Sequence, residues 1–271
     1  MNQQPTHSFY PFKIFLGIIG YLGYFASAGI FFCIGLPFFA VLALWPGPMR
    51  RVMYAVFRNF AVFLTRIWLP LLHVYNFAER PGPEASALRG AIIVANHRSR
   101  LDALMMLSVL PESGVVIKSK YTGIPLYFAF VKYLDFVSVD SGSLQSLASA
   151  LEKCKDVLAR GKNLLVFPEG TRARTGKLLP FGQYSFKLAM ETHAPLVPVI
   201  IHSNLPLMAR CRGSIFPRYR FRYTVRFLPP ERAGAGETAQ DFAARVRALM
   251  AAQLASLDKG TYWDTGKKDI A

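Results

Sequence analysis

From Ile14 to Met49 the chain carries no charged residue, thirty-six in succession. A helix crosses the hydrocarbon core of a bilayer with about 20 apolar residues, so this run is long for one span and short for two spans with a turn. Gly35-Leu36-Pro37 interrupts it. Pro37 removes a backbone donor and disfavours helical geometry at Leu36, which predicts a break or kink there. Two arrangements fit: one span from about Ile14 to Leu36 with an interfacial second piece, or a helical hairpin dipping into one leaflet. Ala26-Ser27-Ala28 has the small residues of a signal-peptide cleavage site, but Ile30-Phe31-Phe32 resumes the apolar run where a mature chain should turn polar.

Composition narrows the partners. The 271 residues include 32 Lys and Arg against 16 Asp and Glu, a net charge of +16, with 52% hydrophobic and 18% charged residues. Disordered chains are poor in apolar residues and rich in charge, so disorder is excluded. Cys33, Cys154 and Cys211 lie far apart with no C-x-x-C among them, which excludes a disulfide scaffold. A basic, apolar chain calls for an anionic partner such as a membrane surface, nucleic acid or a phosphorylated ligand. The apolar N-terminus and the lack of any recognisable nucleic-acid module argue against nucleic acid.

Between Arg50 and Tyr75, Arg51, Arg58 and Arg66 are spaced by seven and eight residues among Val, Phe, Leu, Tyr54 and Trp68. On a helix those steps keep the three arginines within about 80–100° of arc. This reads as an interfacial helix with its arginines toward anionic lipid. The alternative is a buried helix with a solvated edge. Excess Arg directly after an apolar run also places the remaining chain on the cytoplasmic side.

After Pro81-Gly82-Pro83 the pattern changes to that of an α/β domain. Strands are expected at Ala91–Ala95, Val115–Ile117, Phe136–Val139, Leu164–Phe167 and Leu196–Ile201, with helices at Leu101–Leu110 and Phe186–Thr192. Ser143 is a natural N-cap for a further helix whose Leu144, Leu147, Leu151, Cys154 and Leu158 share one face, closed by Gly161. Alternating strands and helices imply a sheet with helices packed on it.

Two stretches carry chemistry, each directly after a buried strand. The first is Asn96-His97-Arg98-Ser99-Arg100-Leu101-Asp102. On one continuous helix a spacing of five would turn His97 and Asp102 about 140° apart. With His97 in the strand-to-helix turn and Asp102 in the first helical turn, they meet. The carboxylate then fixes the imidazole tautomer, and the other ring nitrogen is left to take a proton. The plain alternative is a structural His capping the turn. The second stretch is Phe167-Pro168-Glu169-Gly170-Thr171-Arg172. Gly170 permits close backbone approach, Arg172 offers a bidentate fork for phosphate, and Glu169 can orient that fork or hold a ligand hydroxyl. An ordinary tight turn with an internal Glu–Arg pair is the alternative.

In this order, about 70 residues apart, the two stretches resemble the glycerophosphate acyltransferase family, particularly its bacterial 1-acylglycerol-3-phosphate acyltransferases. Asn96, His97 and Asp102 match an Asn-His-x4-Asp motif, Phe167 through Arg172 match Phe-Pro-Glu-Gly-Thr-Arg, and Leu196-Val197-Pro198-Val199-Ile200 is similar to a fourth block centred on Val-Pro. The likeness covers roughly residues 90–201. In the second block Lys118 or Lys120 and Gly123-Ile124-Pro125 fit, but Ser141 stands where an Arg is usual, and Phe181-Gly182-Gln183-Tyr184-Ser185 lacks a Lys-x-Gly pattern.

The resemblance implies acyl transfer from acyl-CoA or acyl carrier protein to the hydroxyl of a lysophospholipid, foremost lysophosphatidic acid, in phospholipid biosynthesis, with no metal or bound cofactor. Another acceptor, such as a lyso-ornithine lipid or a specialised lipid, is the alternative. His97 and Asp102 are the implied catalytic pair, with Lys118, Lys120, Glu169, Gly170, Thr171 and Arg172 binding substrate. No G-x-S-x-G occurs, so attack without an acyl-enzyme is expected. The expected architecture is α/β, a central mixed sheet flanked by helices, with an N-terminal membrane-embedded helical segment. Residues 1–80 would form the anchor, 81–257 the acyltransferase domain and 258–271 a polar tail, at the inner membrane with catalysis on the cytoplasmic side.

One basic feature lies outside the likeness. Arg218, Arg220, Arg222 and Arg226 alternate with Tyr219, Phe221, Tyr223, Val225 and Phe227, and Arg210 and Arg212 precede them. Period two predicts a strand with an apolar inner face and an arginine outer face. That face would dock anionic headgroups or an acidic carrier protein, or simply be solvated.

Overall fold

The computed structural model describes residues 10–30, 33, 37, 46–68, 76–79, 83–110, 112–124, 131, 133–140, 142–206 and 222–265. Its centre is a sheet of β1 (Asn76–Glu79), β2 (Ile92–Ala95), β3 (Ser113–Lys118), β4 (Val137–Val139), β5 (Asn163–Val166), β6 (Leu196–Ser203) and β7 (Arg222–Phe227). The spatial order is β1-β7-β6-β2-β5-β3-β4. All neighbours are parallel except β6 and β7, so the sheet is mixed. Strands β2, β5 and β6 are buried along their whole length. That is why they read as unbroken apolar runs rather than alternating ones: helices cover both faces.

The helices are α1 (Tyr10–Ile30), α2 (Pro46–Phe63), α3 (Asp102–Val109), α4 (Leu144–Ala159), α5 (Tyr184–Thr192) and α6 (Ala239–Asp258), with short turns besides. On one face of the sheet Ile93, Ala95, Leu165, Val197, Val199, Tyr223 and Val225 pack with α2 and α3. On the other, Ile92, Val94, Leu164, Val166, Leu196 and Ile200 pack with α4, α5 and α6. Consecutive residues of one strand thus go to opposite cores, as the pleat requires.

Ser143 caps α4 by accepting the N–H of Ser146 at 3.2 Å. Cys154 and Leu158 are buried on that helix as expected, but Leu144 is 87% exposed. It occupies the first helical position.

The N-terminal part departs most from expectation. Among the described residues no helix is long and apolar enough to cross a membrane, so the single span is not supported. The expected break at Gly35-Leu36 lies outside the described residues. Helix α1 leans on the rest of the chain through Trp68, whose indole N–H points at the Gly20 carbonyl at 3.5 Å. A Cβ on Gly23 would lie 2.4 Å from the Trp68 ring.

Helix α2 runs on into a π-helical turn, Leu64–Trp68, and packs on α3. Its Met53, Ala61 and Leu64 are buried, Arg51 and Arg58 are exposed, and Val52, Val56, Phe63 and Ile67 form an exposed apolar stripe between the two. Arg66 does not simply continue the arginine stripe: its guanidinium donates to the Ser108 carbonyl at 3.1 Å, tying α2 to α3.

Two segments expected outside the central domain take part in it. Strand β1, within 1–80, pairs in parallel with β7. Trp263, within 258–271, donates its indole N–H to the Ser203 carbonyl at 2.7 Å. On β7, Arg222 is exposed and Tyr223 and Val225 are buried, but Thr224 is buried too because neighbours lie on both sides. Ser141, Arg210, Arg212, Arg218 and Arg220 lie outside the described residues.

Candidate active site

The carboxyl ends of β2, β5 and β6 meet the first turn of α3, where open α/β sheets place their ligands. Beyond β2, the Asn96 side chain continues the ladder. Its amide donates to the Ile201 carbonyl at 2.8 Å and its oxygen accepts the Ile201 N–H at 2.7 Å. This buried pairing anchors the chain to β6 one residue before it turns, and so fixes where His97 begins.

The turn brings His97 and Asp102 together. His97 Nδ1 lies 2.9 Å from Asp102 Oδ2, with side chains 21% and 1% exposed. Asp102 is the first residue of α3, and its Oδ2 also accepts the backbone N–H groups of Arg98 and Ser99, both at 2.7 Å. A carboxylate that satisfies the turn's own donors is rigid, and rigidity is what holds an imidazole in one orientation. The His97 ring stacks on Phe167, with centroids 4.4 Å apart. Asp102 and Phe167 hold one nitrogen and one ring face, and the side chain stays partly exposed.

The Phe167–Arg172 turn is joined to this turn through the backbone. Ala173 donates its N–H to the His97 carbonyl at 2.8 Å. Glu169 is buried, and its two oxygens accept the N–H groups of His97 at 2.8 Å and Leu179 at 2.9 Å. Burial pushes the Glu169 carboxyl above its usual range, against those two N–H groups and the nearby His97 and Arg98, which pull it down. Glu169 therefore braces the His97 turn, where the sequence suggested a partner for Arg172 or a ligand hydroxyl.

Gly170 turns with φ of +61°, and a Cβ there would lie 3.9 Å from Lys118 Nζ. Strand β3 thus delivers the Lys118 ammonium to the glycine of the turn, and Gly170 leaves room for it. Thr171 and Arg172 follow, both half-buried, with Arg172 one residue before the Ala173–His97 bond. Lys120 goes elsewhere, with Nζ 5.3 Å from the centroid of the Tyr121 ring. Of the two lysines, Lys118 is the one brought to the Phe167–Arg172 turn.

Beneath lies a bracing layer that sequence reasoning did not find. Arg98 is buried and donates to Asp258 Oδ1 at 2.8 Å, to Asp258 Oδ2 at 2.6 Å and to the Gly176 carbonyl, with its guanidinium 4.7 Å from the Trp263 ring centroid. Gly176 has φ of +78°, and a Cβ on it would lie 2.3 Å from Trp263. Burial raises the Asp258 carboxyl, but the hydrogen bonds and charge of Arg98, with His202 Nε2 close by at 3.3 Å, outweigh it, and the carboxyl lies below its usual range. Nothing local in the sequence joins Arg98 to Asp258, 160 residues apart. Among the described residues no group of three or more His, Cys, Asp or Glu is placed to hold a metal ion.

A family model described as Acyltransferase matches residues 79–202. A 1-acyl-sn-glycerol-3-phosphate acyltransferase of Limnanthes douglasii is 27% identical over 195 residues, 70% of this chain and 66% of that protein. The 1-acyl-sn-glycerol-3-phosphate acyltransferase alpha of Mus musculus is 31% identical over 51% of this chain and 49% of its own. The chain thus spans about half to two thirds of the length of these curated relatives. The crystal structure of the 1-acyl-sn-glycerophosphate (LPA) acyltransferase PlsC from Thermotoga maritima superposes with a TM-score of 0.68 at 20% identity, covering 90% of this chain and 95% of that one. That likeness shows a shared fold.

Proposed function

We propose that this chain, whose residues 79–202 match the acyltransferase family model, moves a fatty acyl group from a thioester donor to the free hydroxyl of a lysophospholipid, foremost lysophosphatidic acid. The observation that carries the reading is the contact of His97 Nδ1 with the buried Asp102 carboxylate at 2.9 Å. It leaves Nε2 as a base near the turn to which Lys118 is brought and in which Arg172 lies. A hydroxyl to be deprotonated next to a phosphate to be held is what a lysophosphatidic acid brings.

The chemistry follows from the residues. A thioester carbonyl is already electrophilic, so the protein mainly needs to deprotonate the acceptor and steady the oxyanion. His97 Nε2 takes the hydroxyl proton as the oxygen attacks the carbonyl carbon. The tetrahedral adduct collapses with cleavage of the C–S bond, and the imidazolium returns its proton to the leaving thiolate. Asp102 holds the tautomer and stabilises the transient positive charge. Lys118 and Arg172 hold the phosphate, the lysine as a point charge and the arginine as a fork. The thiol carrier is CoA or an acyl carrier protein.

The substrate is a lipid, and the chain meets it with an apolar surface. On α1, Phe12, Phe15, Ile18, Leu22 and Phe25 are exposed within about 140° of arc. Helix α2 adds a second exposed apolar stripe, Val52, Val56, Phe63 and Ile67, together with the exposed Arg51 and Arg58. Our reading is that α1 and α2 seat the chain in one leaflet of an anionic membrane, with the catalytic domain at its cytoplasmic face. Purified protein offered a panel of lysolipids, lyso-ornithine lipid included, with acyl-CoA and acyl carrier protein as donors, tests the function by product mass. Phosphatidic acid as the main product supports it; a product from another acceptor alone replaces the substrate.

A further inference from the structure

We infer that Tyr223 is a positioning residue for acyl transfer, setting the basicity of His97 through the carboxylate of Asp102; this rests on His97 being the base. Asp102 has two oxygens and four donors. Three of them, His97 Nδ1 and the N–H groups of Arg98 and Ser99, converge on Oδ2. Among the described residues Oδ1 has one donor, the Tyr223 hydroxyl, which comes from 121 residues further along the chain. Both side chains are sealed, each 1% exposed, so water does not replace the phenol.

The register of the sheet makes this contact. Strand β7 runs antiparallel to β6 with Tyr223 opposite Ser203 and Val225 opposite Ile201. Ile201 is also the residue whose backbone grips Asn96. The same stretch of β6 therefore fixes the start of the His97 turn and the height of Tyr223. A slip of one residue would send Tyr223 to the opposite core and leave Oδ1 without a partner.

The chemical consequence has a definite sign. A phenol donating to Oδ1 draws off carboxylate charge that Asp102 would otherwise direct at the His97 ring, beside which Glu169 and Arg98 also lie. Without it, Asp102 carries an unshared charge in a buried place. His97 then holds its proton more tightly, or Asp102 itself takes one. Either way the base is lost at a higher pH than before, while the acceptor's phosphate is bound as before.

The test uses the full chain in detergent with lysophosphatidic acid and acyl-CoA, comparing wild type, Tyr223→Phe and His97→Ala. In Tyr223→Phe, kcat should fall by about tenfold, the scale of a lost hydrogen bond to a buried charged group, with the KM for lysophosphatidic acid unchanged and the acid limb of the kcat/KM profile moved to higher pH. A phenylalanine that merely loosened the fold would lower activity at every pH without moving the limb, and that result overturns the inference. Incorporating 3-fluorotyrosine at 223 supplies a stronger donor of nearly the same shape and should move the limb to lower pH, which keeps the test open if the phenylalanine variant does not fold. An inactive His97→Ala with an unmoved limb in both Tyr223 variants sinks the role of Tyr223 alone. An active His97→Ala sinks the base itself.

Discussion

Glu169 Oε1 accepts the backbone N–H of His97 at 2.8 Å, so the Phe167–Arg172 turn holds the His97 turn by its main chain. Its other oxygen takes the Leu179 N–H at 2.9 Å. Two N–H groups need two acceptors, and a carboxylate supplies both. Glu169→Gln keeps the shape but turns an amide NH₂ toward one of them. We expect kcat to drop about tenfold or more, since a buried donor is left facing a donor. Steady-state kinetics on folded variant checks this, and unchanged kcat would mean the brace is dispensable.

The same substitution has a pH signature. Burial raises the Glu169 carboxyl above its ordinary 4.5, so its contribution to stability is fully present below that value and lost as pH rises through the folded one. The melting temperature of Glu169→Gln should therefore gain on the wild type as pH is raised from about 4 to about 7. A gap that stays constant with pH would show that Glu169 is not held in this way.

Lys118 and Arg172 are expected to separate by substitution. Arg172→Lys keeps charge but loses the planar fork, and Lys118→Ala removes a point charge from beside Gly170. Both should raise the KM for lysophosphatidic acid about tenfold with a smaller change in kcat. Lys120→Ala, whose ammonium lies on Tyr121, should leave that KM nearly unchanged. Equal effects from Lys118 and Lys120 would contradict the placement of the phosphate.

The Arg98–Asp258 pair should make the chain's carboxyl-terminal turn acid-sensitive. Asp258 lies below its ordinary 3.8, so the stability it lends is present above that value and lost as pH falls through the folded one. Asp258→Asn leaves Arg98 buried without its counter-charge, a loss of about 3 kcal/mol. Acid unfolding followed at Trp263 should show a wild-type transition that is absent or shifted in Asp258→Asn. Superimposable curves would contradict it.

How much of this was legible in the sequence varies with the range of the interactions. Strands β2, β5 and β6 are short unbroken apolar runs because both their faces are covered, and the Ser143 cap is local, so each was readable to within a residue or two. The meeting of His97 and Asp102 was readable because it needs only a turn of five residues. The bracing was not. Tyr223 showed its burial through alternation, but nothing in a period of two says that its hydroxyl ends on Asp102. Asp258 and Trp263 sit in a segment polar enough to pass for a tail. The 36-residue uncharged run suggested a span or a one-leaflet hairpin, yet among the described residues no helix is long and apolar enough to cross a membrane, and the exposed apolar residues of α1 lie along one side.

That stripe should be felt in membrane binding. Arg51 and Arg58, each worth about 1 kcal/mol near an anionic surface, add a salt-sensitive grip to the apolar hold of α1 and α2. Phe15→Asp with Phe25→Asp should weaken flotation with vesicles at every salt concentration. Arg51→Ala with Arg58→Ala should weaken it only on anionic vesicles at low salt. Arg66→Ala should instead lower stability, because Arg66 bonds to Ser108. Binding indifferent to all of these would refute the leaflet-seated arrangement.

The most direct measurement is thioester consumption with lysophosphatidic acid by wild type, His97→Ala and Asp102→Asn, each shown folded by its melting curve and with product identified by mass. A general base is worth about 10²–10⁴-fold. His97→Ala should lose at least that factor and Asp102→Asn most of its activity through the wrong tautomer, with phosphatidic acid formed by wild type alone at appreciable rate. Near-normal phosphatidic acid formation by folded His97→Ala would contradict the account.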